Sequence, residues 1–401
     1  MSVKEKIRVE NLYKVFGPKP EKAKEMLDKG LTKEEILDKT GMTVGVQDAS
    51  FTVNEGEIFV VMGLSGSGKS TLVRMLNRLI EPTFGHVYVD GDDVATMSKD
   101  QLLQVRRKDM SMVFQSFALM PHMSVVENAA FGLELSGTDK AEREAKAREA
   151  LAQVGLEAWA DSMPDELSGG MKQRVGLARA LAVNPGIMLM DEAFSALDPL
   201  IRSEMQDELI KLQSKSKRTV IFISHDLDEA MRIGDRIAIM EGGRVVQVGT
   251  PEEILQNPAD DYVQAFFRGV DPTNILTAGD IARKTQVTII RHPAEGPRAA
   301  LQRLTSHDRD FGYVVDRDNK YVGVVSVEGL QNIVDSSEKK FDDAFIKDAV
   351  AVQASDSLQD ILPIVAANPW AVPVLNDDKE YIGVISKNTF LKTLHRTGEN
   401  A

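Results

Sequence analysis

A chain of 401 residues with 43% hydrophobic content is long enough to bury a large core, and its length favours two or three domains over one. The formal net charge of −13 argues against a protein that coats nucleic acid, and the absence of cysteine excludes disulfides, thiolate zinc sites and thiol catalysis, in keeping with a reducing cytoplasm. The opening MSVKEKIRVENLYKVFG scatters charges where a signal peptide needs an apolar stretch, and no run approaches the ~18 apolar residues of a membrane span. The expectation is a soluble chain whose membrane role comes through a partner.

In chain order, residues 18–43 contain PEKAKEMLDKGLTKEEILDKTG, which reads as two short helices, with Thr32 and Glu35 as a capping box and Gly41 as a stop. Next comes VVMGLSGSGKST at 60–71, where Gly63, Gly68, Lys69 and Ser70 fit G-x-x-x-x-G-K-[ST]. A β-rich run, Ile58–Met62, precedes it and the helix-like TLVRMLNRL follows, which is the context this motif requires. Gly66 and Gly68 let the backbone wrap phosphates, Lys69 neutralises the outer two, and the Ser70 hydroxyl is suited to Mg²⁺. Gln115 ends another apolar run, in MVFQSFALMPH; a neutral amide there can ligand Mg²⁺ and report a terminal phosphate, or be a plain loop residue.

DELSGGMKQR at 165–174 places Ser168, Gly169 and Gly170 at a helix start with Lys172 and Arg174 behind them, a pattern that can cradle an anion. In GIMLMDEAFSALD the run Ile187–Met190 has the continuous apolar character of a buried parallel strand and ends in Asp191 and Glu192. Alone this is an ordinary strand end; beside a phosphate loop it is where α/β sheets bind ligands, with Asp191 for Mg²⁺ and Glu192 for polarising the attacking water. A third strand, TVIFISHD at 219–226, ends in His225, whose ring can reach the terminal phosphate and that water.

The order Gly63–Ser70, Gln115, Leu167–Met171, Met190–Glu192, Ser195–Asp198, His225 resembles the nucleotide-binding subunit of ATP-binding cassette (ABC) transporters over roughly residues 7–265, with Met171 where the signature usually has Gln. The resemblance implies a cassette over 1–268, with an α/β, RecA-like P-loop NTPase core, the helical insertion at 18–43 and a helical subdomain at about 116–180. It implies ATP with Mg²⁺ as cofactors. ATP contacts would come from Gly63, Leu64, Ser65, Gly66, Ser67, Gly68, Lys69, Ser70, Thr71 and Gln115, and metal contacts from Ser70, Gln115 and Asp191. Glu192 and His225 would be the catalytic pair. Phe16 falls where an aromatic ring stacks on adenine; Tyr13 competes for the role, and either ring also suits core. In this family the signature acts across a dimer, so Ser168, Gly169 and Gly170 would grip ATP held by the partner's Lys69, and a head-to-tail homodimer becomes an active-site requirement.

Beyond about Gly269, FGYVVDRDNKYVGVVSVEGL and AVPVLNDDKEYIGVISKNTF align at a constant offset of sixty, preserving Val314/Val374, Asp318/Asp378, Tyr321/Tyr381, Gly323/Gly383 and Ser326/Ser386. This tail resembles a tandem of cystathionine-β-synthase (CBS) domains, at 275–340 and 341–401. Adenosine-binding members carry an Asp three residues after the Ser/Thr; here those positions are Gly329 and Thr389. A purely structural dimerisation module is the competing reading.

Cassette, insertion and tail together resemble the ATPase subunit of osmoregulatory importers of quaternary amines, the glycine betaine/proline betaine type. That resemblance implies separate transmembrane permease subunits, an external substrate-binding protein, no nucleic acid, and a peripheral position on the cytoplasmic face of the inner or plasma membrane. The permease is expected to dock around Phe114–Leu135, where Met112, Phe117, Leu119, Met120 and Met123 suit a groove for a partner helix, ordinary core of the helical subdomain being the alternative. A soluble, non-transport cassette ATPase shares the motifs but usually carries a second cassette or long coiled coils, and an importer for another small amine shares more.

Overall fold

The computed structural model describes residues 4–114, 118–195, 197–267, 273, 275–284, 288–290, 296–336 and 340–395. The chain forms two compact units, Met1–Phe266 and Phe267–Ala401.

The first unit opens with β1 (Glu5–Phe16), α1 (Pro20–Asp28), α2 (Lys33–Thr40), β2 (Thr43–Asn54), β3 (Ile58–Gly63) and α3 (Lys69–Leu76). It continues through β4 (Phe84–Val89), β5 (Asp92–Asp93), α4 (Lys99–Lys108), β6 (Met110–Val113), α5 (Val125–Leu135), α6 (Lys140–Gln153) and α7 (Gly169–Ala182). The remaining elements are β7 (Ile187–Asp191), α8 (Pro199–Ser216), β8 (Thr219–Ile223), α9 (Leu227–Ile233), β9 (Arg236–Glu241), β10 (Arg244–Gly249), α10 (Pro251–Gln256) and α11 (Asp261–Phe266). Two sheets result: a four-stranded antiparallel one in the order β2-β1-β4-β5, and a six-stranded one in the order β10-β9-β3-β8-β7-β6. In the larger sheet β9, β3, β8, β7 and β6 run parallel and β10 is antiparallel at the edge. Every residue of β3, β7 and β8 is buried, as strands covered on both faces must be, and this explains their unbroken apolar runs. Because β3, β8 and β7 are neighbours, the residues that follow them emerge side by side. α5, α6 and α7 pack on one another as a helical subdomain.

Local signals explain most boundaries. Glu35 Oε2 accepts from the Thr32 amide at 2.8 Å and Thr32 Oγ1 from the Glu35 amide at 3.2 Å, while Gly41 ends α2 in the left-handed region at φ 70°. The insertion is anchored by its own small core: Ala23, Leu27 and Ile36 meet Tyr13, Val15, Met42 and Val44. Each larger aliphatic chain so buried contributes roughly 1.5–3 kcal/mol, enough to fix helices that would be marginal alone. The helix after the phosphate loop differs from the sequence reading. It begins two residues earlier, at Lys69, and stops at Leu76, because Asn77 caps it and Arg78 turns left-handed at φ 52°.

In the second unit the chain runs α12 (Ala278–Ile281), β11 (Thr288–Ile290), α13 (Pro297–Ser306), β12 (Phe311–Val315), β13 (Tyr321–Ser326) and α14 (Val327–Val334). It then repeats the plan with β14 (Val352–Gln353), α15 (Leu358–Ala367), β15 (Val372–Leu375), β16 (Tyr381–Ile385) and α16 (Lys387–His395). Each half is a three-stranded sheet, a parallel strand beside an antiparallel hairpin. The halves are joined reciprocally: the Tyr321 amide donates to the Lys379 carbonyl at 3.2 Å and the Tyr381 amide to the Asn319 carbonyl at 2.9 Å, two bonds related by the sixty-residue offset. Ser326 caps α14 by accepting from the Gly329 amide at 3.0 Å, and Ser386 accepts from the Thr389 amide at 3.1 Å.

Candidate functional site

Three adjacent strand ends build the site. The loop after β3 requires glycine where it turns back. Gly63 has φ 148° and a Cβ there would lie 2.2 Å from the Met240 carbonyl oxygen; Gly68 has φ 101° and its Cβ would lie 2.3 Å from the Gly45 carbonyl oxygen. Lys69, at the start of α3, folds back so that Nζ donates to the carbonyls of Gly63 at 2.8 Å and Leu64 at 3.0 Å. Burial pushes the Lys69 ammonium below its ordinary pKa, while the nearby Glu192 and Asp191 carboxylates push it up. A cation held against the glycine-rich loop at a helix start in this way is complementary to a polyphosphate.

Asp191 closes β7 with a fully buried carboxylate. Ser70 Oγ donates to its Oδ1 at 2.8 Å and Arg74 Nη2 to its Oδ2 at 2.9 Å, so the buried charge is paired on both oxygens. Ser70 and Arg74 are four apart on α3 and therefore share a face. In the sequence only its spacing from Ser70 marks Arg74. Glu192 follows in the left-handed region at φ 49°, a conformation a non-glycine residue keeps only when its surroundings impose it. Its Oε2 lies 3.7 Å from Nδ1 of His225, which follows β8. Behind His225, Ser224 Oγ accepts from the Asp226 amide at 3.0 Å and donates to the buried Glu229 at 2.5 Å. Gln206 Nε2 donates to Glu229 at 3.0 Å, and burial raises the pKa of this carboxyl.

Lys69, Glu192 and His225 line one cleft of about 960 Å³, which also takes in Phe16, Gly63, Leu64, Ser65, Gly66, Gly68, Ser70 and Thr71. Ser67 sits behind the loop, buried, its hydroxyl without a hydrogen-bond partner. The competition between the two aromatic rings is resolved by packing. Tyr13 is buried in the core of the insertion, whereas Phe16 is 43% exposed and faces the cleft. Gln115 lies outside the described residues, as does Phe117. Met112, expected on a docking groove, sits instead on β6 against the main core. Leu119, Met120 and Met123 are half-buried, and Asn128 of α5 holds their loop by accepting from the Met120 amide at 2.7 Å and donating to the carbonyls of Met120, Met123 and Ser124.

Ser168 caps α7 by accepting from the Met171 amide at 3.3 Å, which leaves its hydroxyl proton available. Neither Ser168 nor Gly169 nor Gly170 lines the cleft of its own chain. The cradle also differs from expectation in its cations: Arg174 turns away to donate to the Val154 carbonyl at 3.3 Å, because its position on α7 faces the helical subdomain. Leu37, Lys33 and Phe266 also line the cleft without a signal in the sequence, since only tertiary folding brings α2 and α11 to the phosphate loop.

A glycine-dependent loop between β3 and α3, with a buried acid at the end of β7 in the same sheet, defines a P-loop nucleoside triphosphatase, and the α5–α7 subdomain, whose helix α7 starts from Ser168, makes it a cassette. The ABC transporter family matches residues 46–195 and the CBS domain family residues 342–396. Over 396 residues, 98% of this chain and 99% of the relative, the sequence is 60% identical to the glycine betaine/proline betaine transport system ATP-binding protein ProV of Escherichia coli (strain K12). It is 50% identical over 402 residues, 100% of this chain and 95% of the relative, to the glycine betaine transport ATP-binding protein OpuAA of Bacillus subtilis (strain 168). Among solved structures, a dimeric bacterial ABC transporter cassette matches with a TM-score of 0.53 and 31% identity over 61% of this chain and 98% of that one. The same figures hold for a dimeric post-hydrolysis cassette bound to ADP and Pi. The chain belongs to the ABC transporter ATP-binding subunits, in the family of ProV and OpuAA, and is an ABC-type ATPase that binds ATP.

Proposed function

We propose that this chain powers the import of a compatible solute of the glycine betaine/proline betaine class through separate transmembrane permease subunits served by an external substrate-binding protein. The observation that carries the reading is 60% identity along 98% of the chain, insertion and tail included, to a subunit of such a system. Among the described residues no helix is long and apolar enough to cross a membrane, in keeping with a peripheral subunit on the cytoplasmic face, and the net charge of −13 argues against a protein that coats nucleic acid. The permease would meet the segment around 114–135.

Two copies in head-to-tail, two-fold arrangement would form two sites, each joining the phosphate loop of one chain to Ser168, Gly169 and Gly170 of the other. This accounts for a signature that lines no part of its own cleft. Within a site, Lys69 and the loop amides would bind the phosphates, Phe16 would stack on adenine, Glu192 would take the proton of the attacking water, and His225 would orient the terminal phosphate and hold Glu192 in place. The Ser70 hydroxyl and Asp191 carboxylate are hard oxygen donors 2.8 Å apart and fit Mg²⁺, with Gln115 as a third ligand from sequence. Among the described residues no three His, Asp or Glu side chains converge to hold a metal, so the nucleotide phosphates would have to complete its shell. Mg²⁺ would supply charge neutralisation on the phosphates. Closure of the dimer on ATP would drive the permease, and hydrolysis would reopen it. The CBS modules at 275–340 and 341–401 would bias that closure in response to osmotic state.

Complementation tests this reading. A bacterium lacking its own betaine-importer ATPase subunit, given this chain with its cognate permease and binding protein, should regain uptake of labelled glycine betaine and growth at high osmolarity. ATPase activity without uptake of any quaternary amine would favour the non-transport cassette, and uptake of a different small amine would revise the substrate.

A further inference from the structure

The insertion that the minimal cassette lacks forms a wall of the nucleotide cleft. On α2, Lys33 and Leu37 lie four residues apart and share the face turned to the cleft, while Ile36 points the other way into the small core with Tyr13 and Val44. Leu37 is 45% exposed, slightly more than Phe16 on β1, and both line the same cleft. Two large apolar side chains left uncovered at one opening are a pair in want of a flat apolar ligand. Lys33 reaches further: its Nζ donates to the Gly66 carbonyl in the middle of the phosphate loop at 3.3 Å and makes a longer, 3.9 Å approach to Glu34 Oε1. An ammonium at that point lies beside the amides that would face the nucleotide phosphates.

We propose that α2 is a nucleotide-binding element of this ATPase, in which Leu37 covers the part of the base that Phe16 leaves open and Lys33 adds a second positive charge to the phosphates beside Lys69. The proposal rests on the cleft at Gly63–Ser70 being the ATP site. The anchoring core makes the contribution preorganised: α2 is already fixed at both ends by its cap and by Gly41, so little ordering cost opposes binding. Leu37 offers no hydrogen-bonding group, so its contact does not read base edges, and the charge on Lys33 is felt through solvent and is screened by salt.

The test is equilibrium binding of ATP and ADP to the full-length protein in four variants: Leu37→Ala, Lys33→Ala, Lys33→Gln and, as control, Lys69→Ala. Leu37→Ala should raise the Kd of ATP and ADP equally, by about fivefold. Lys33→Ala should raise the Kd for ATP by about fivefold at low salt and flatten its rise between about 50 mM and about 500 mM KCl. If Lys33 only tethered the Gly66 carbonyl, Lys33→Gln would restore binding, and that result would overturn its role as a charge. Kd values within twofold of the unmodified chain for both Leu37→Ala and Lys33→Ala would overturn the proposal. Lys69→Ala separates the two readings: binding undiminished in that variant means that the cleft itself is not the ATP site, whereas loss there with no effect on α2 rejects only the insertion's role.

Discussion

Replacing Glu192 with Gln removes one charge and almost no volume. The left-handed backbone at φ 49° is unchanged by the swap, because Glu and Gln have the same unbranched Cβ, and the 3.7 Å approach to His225 Nδ1 can be kept by an amide. Nothing in the phosphate cradle is touched: Lys69 keeps its bonds to Gly63 and Leu64, and Asp191 keeps Ser70 and Arg74. Loss of a negative charge beside the cradle should leave ATP affinity equal or tighter. Proton transfer is different, since an amide cannot accept the proton of water. A positioned general base contributes about 100-fold to 10,000-fold, so hydrolysis should slow by at least ~100-fold, or about 2.7 kcal/mol of barrier. Phosphate release at saturating MgATP, paired with equilibrium nucleotide binding, reads both halves, and the variant should be trapped as an ATP-dependent dimer. Turnover within about tenfold of the unmodified chain would refute the assignment of the base to Glu192.

Further outcomes follow from other parts of the molecule. Gly63→Ala, whose Cβ would lie 2.2 Å from the Met240 carbonyl oxygen, should cost about 1–3 kcal/mol of stability by calorimetry and abolish ATP binding, unless β3 and β9 separate without cost. Mixing Ser168→Arg chains with Lys69→Ala chains in equal amounts should restore about a quarter of the sites, since half the dimers are mixed and each has one intact site. No regain of ATPase with heterodimers demonstrated would contradict the shared site. Truncation of residues 269–401 should preserve ATP binding while making solute-coupled ATPase active at low salt; onset at the same salt concentration in both forms would leave the tail a structural module.

The chemistry of this site was legible because it is local in sequence. Gly63–Ser70 carries its own context of strand and helix, and Asp191 and His225 each end an apolar run that burial on both sheet faces requires. The repeat at sixty residues likewise announced the two halves of the tail, down to Tyr321 and Tyr381, whose amides cross between the hairpins. What stayed hidden depends on contacts between distant segments. Capping residues Thr32, Glu35 and Gly41 mark α2 as a helix, but nothing in them says that Leu37 will face the phosphate loop. Tyr13 and Phe16 are equivalent as sequence, and only the insertion's core separates them. Arg74 differs in kind, because a face shared with Ser70 can be read from the spacing once the buried Asp191 is known to need a partner. The φ of Glu192 has no sequence signature at all, being imposed by the turn that also binds Ser195, whose Oγ donates to the Glu192 carbonyl at 2.9 Å.

Coupling of ATP hydrolysis in this chain to solute movement is read in proteoliposomes holding the chain with its permease, with binding protein on the opposite side. ATPase measured against added solute should rise when glycine betaine or proline betaine is supplied with the binding protein, and the rise should vanish in Glu192→Gln. A rate that is indifferent to every quaternary amine, in vesicles shown to contain the assembled complex, would contradict it.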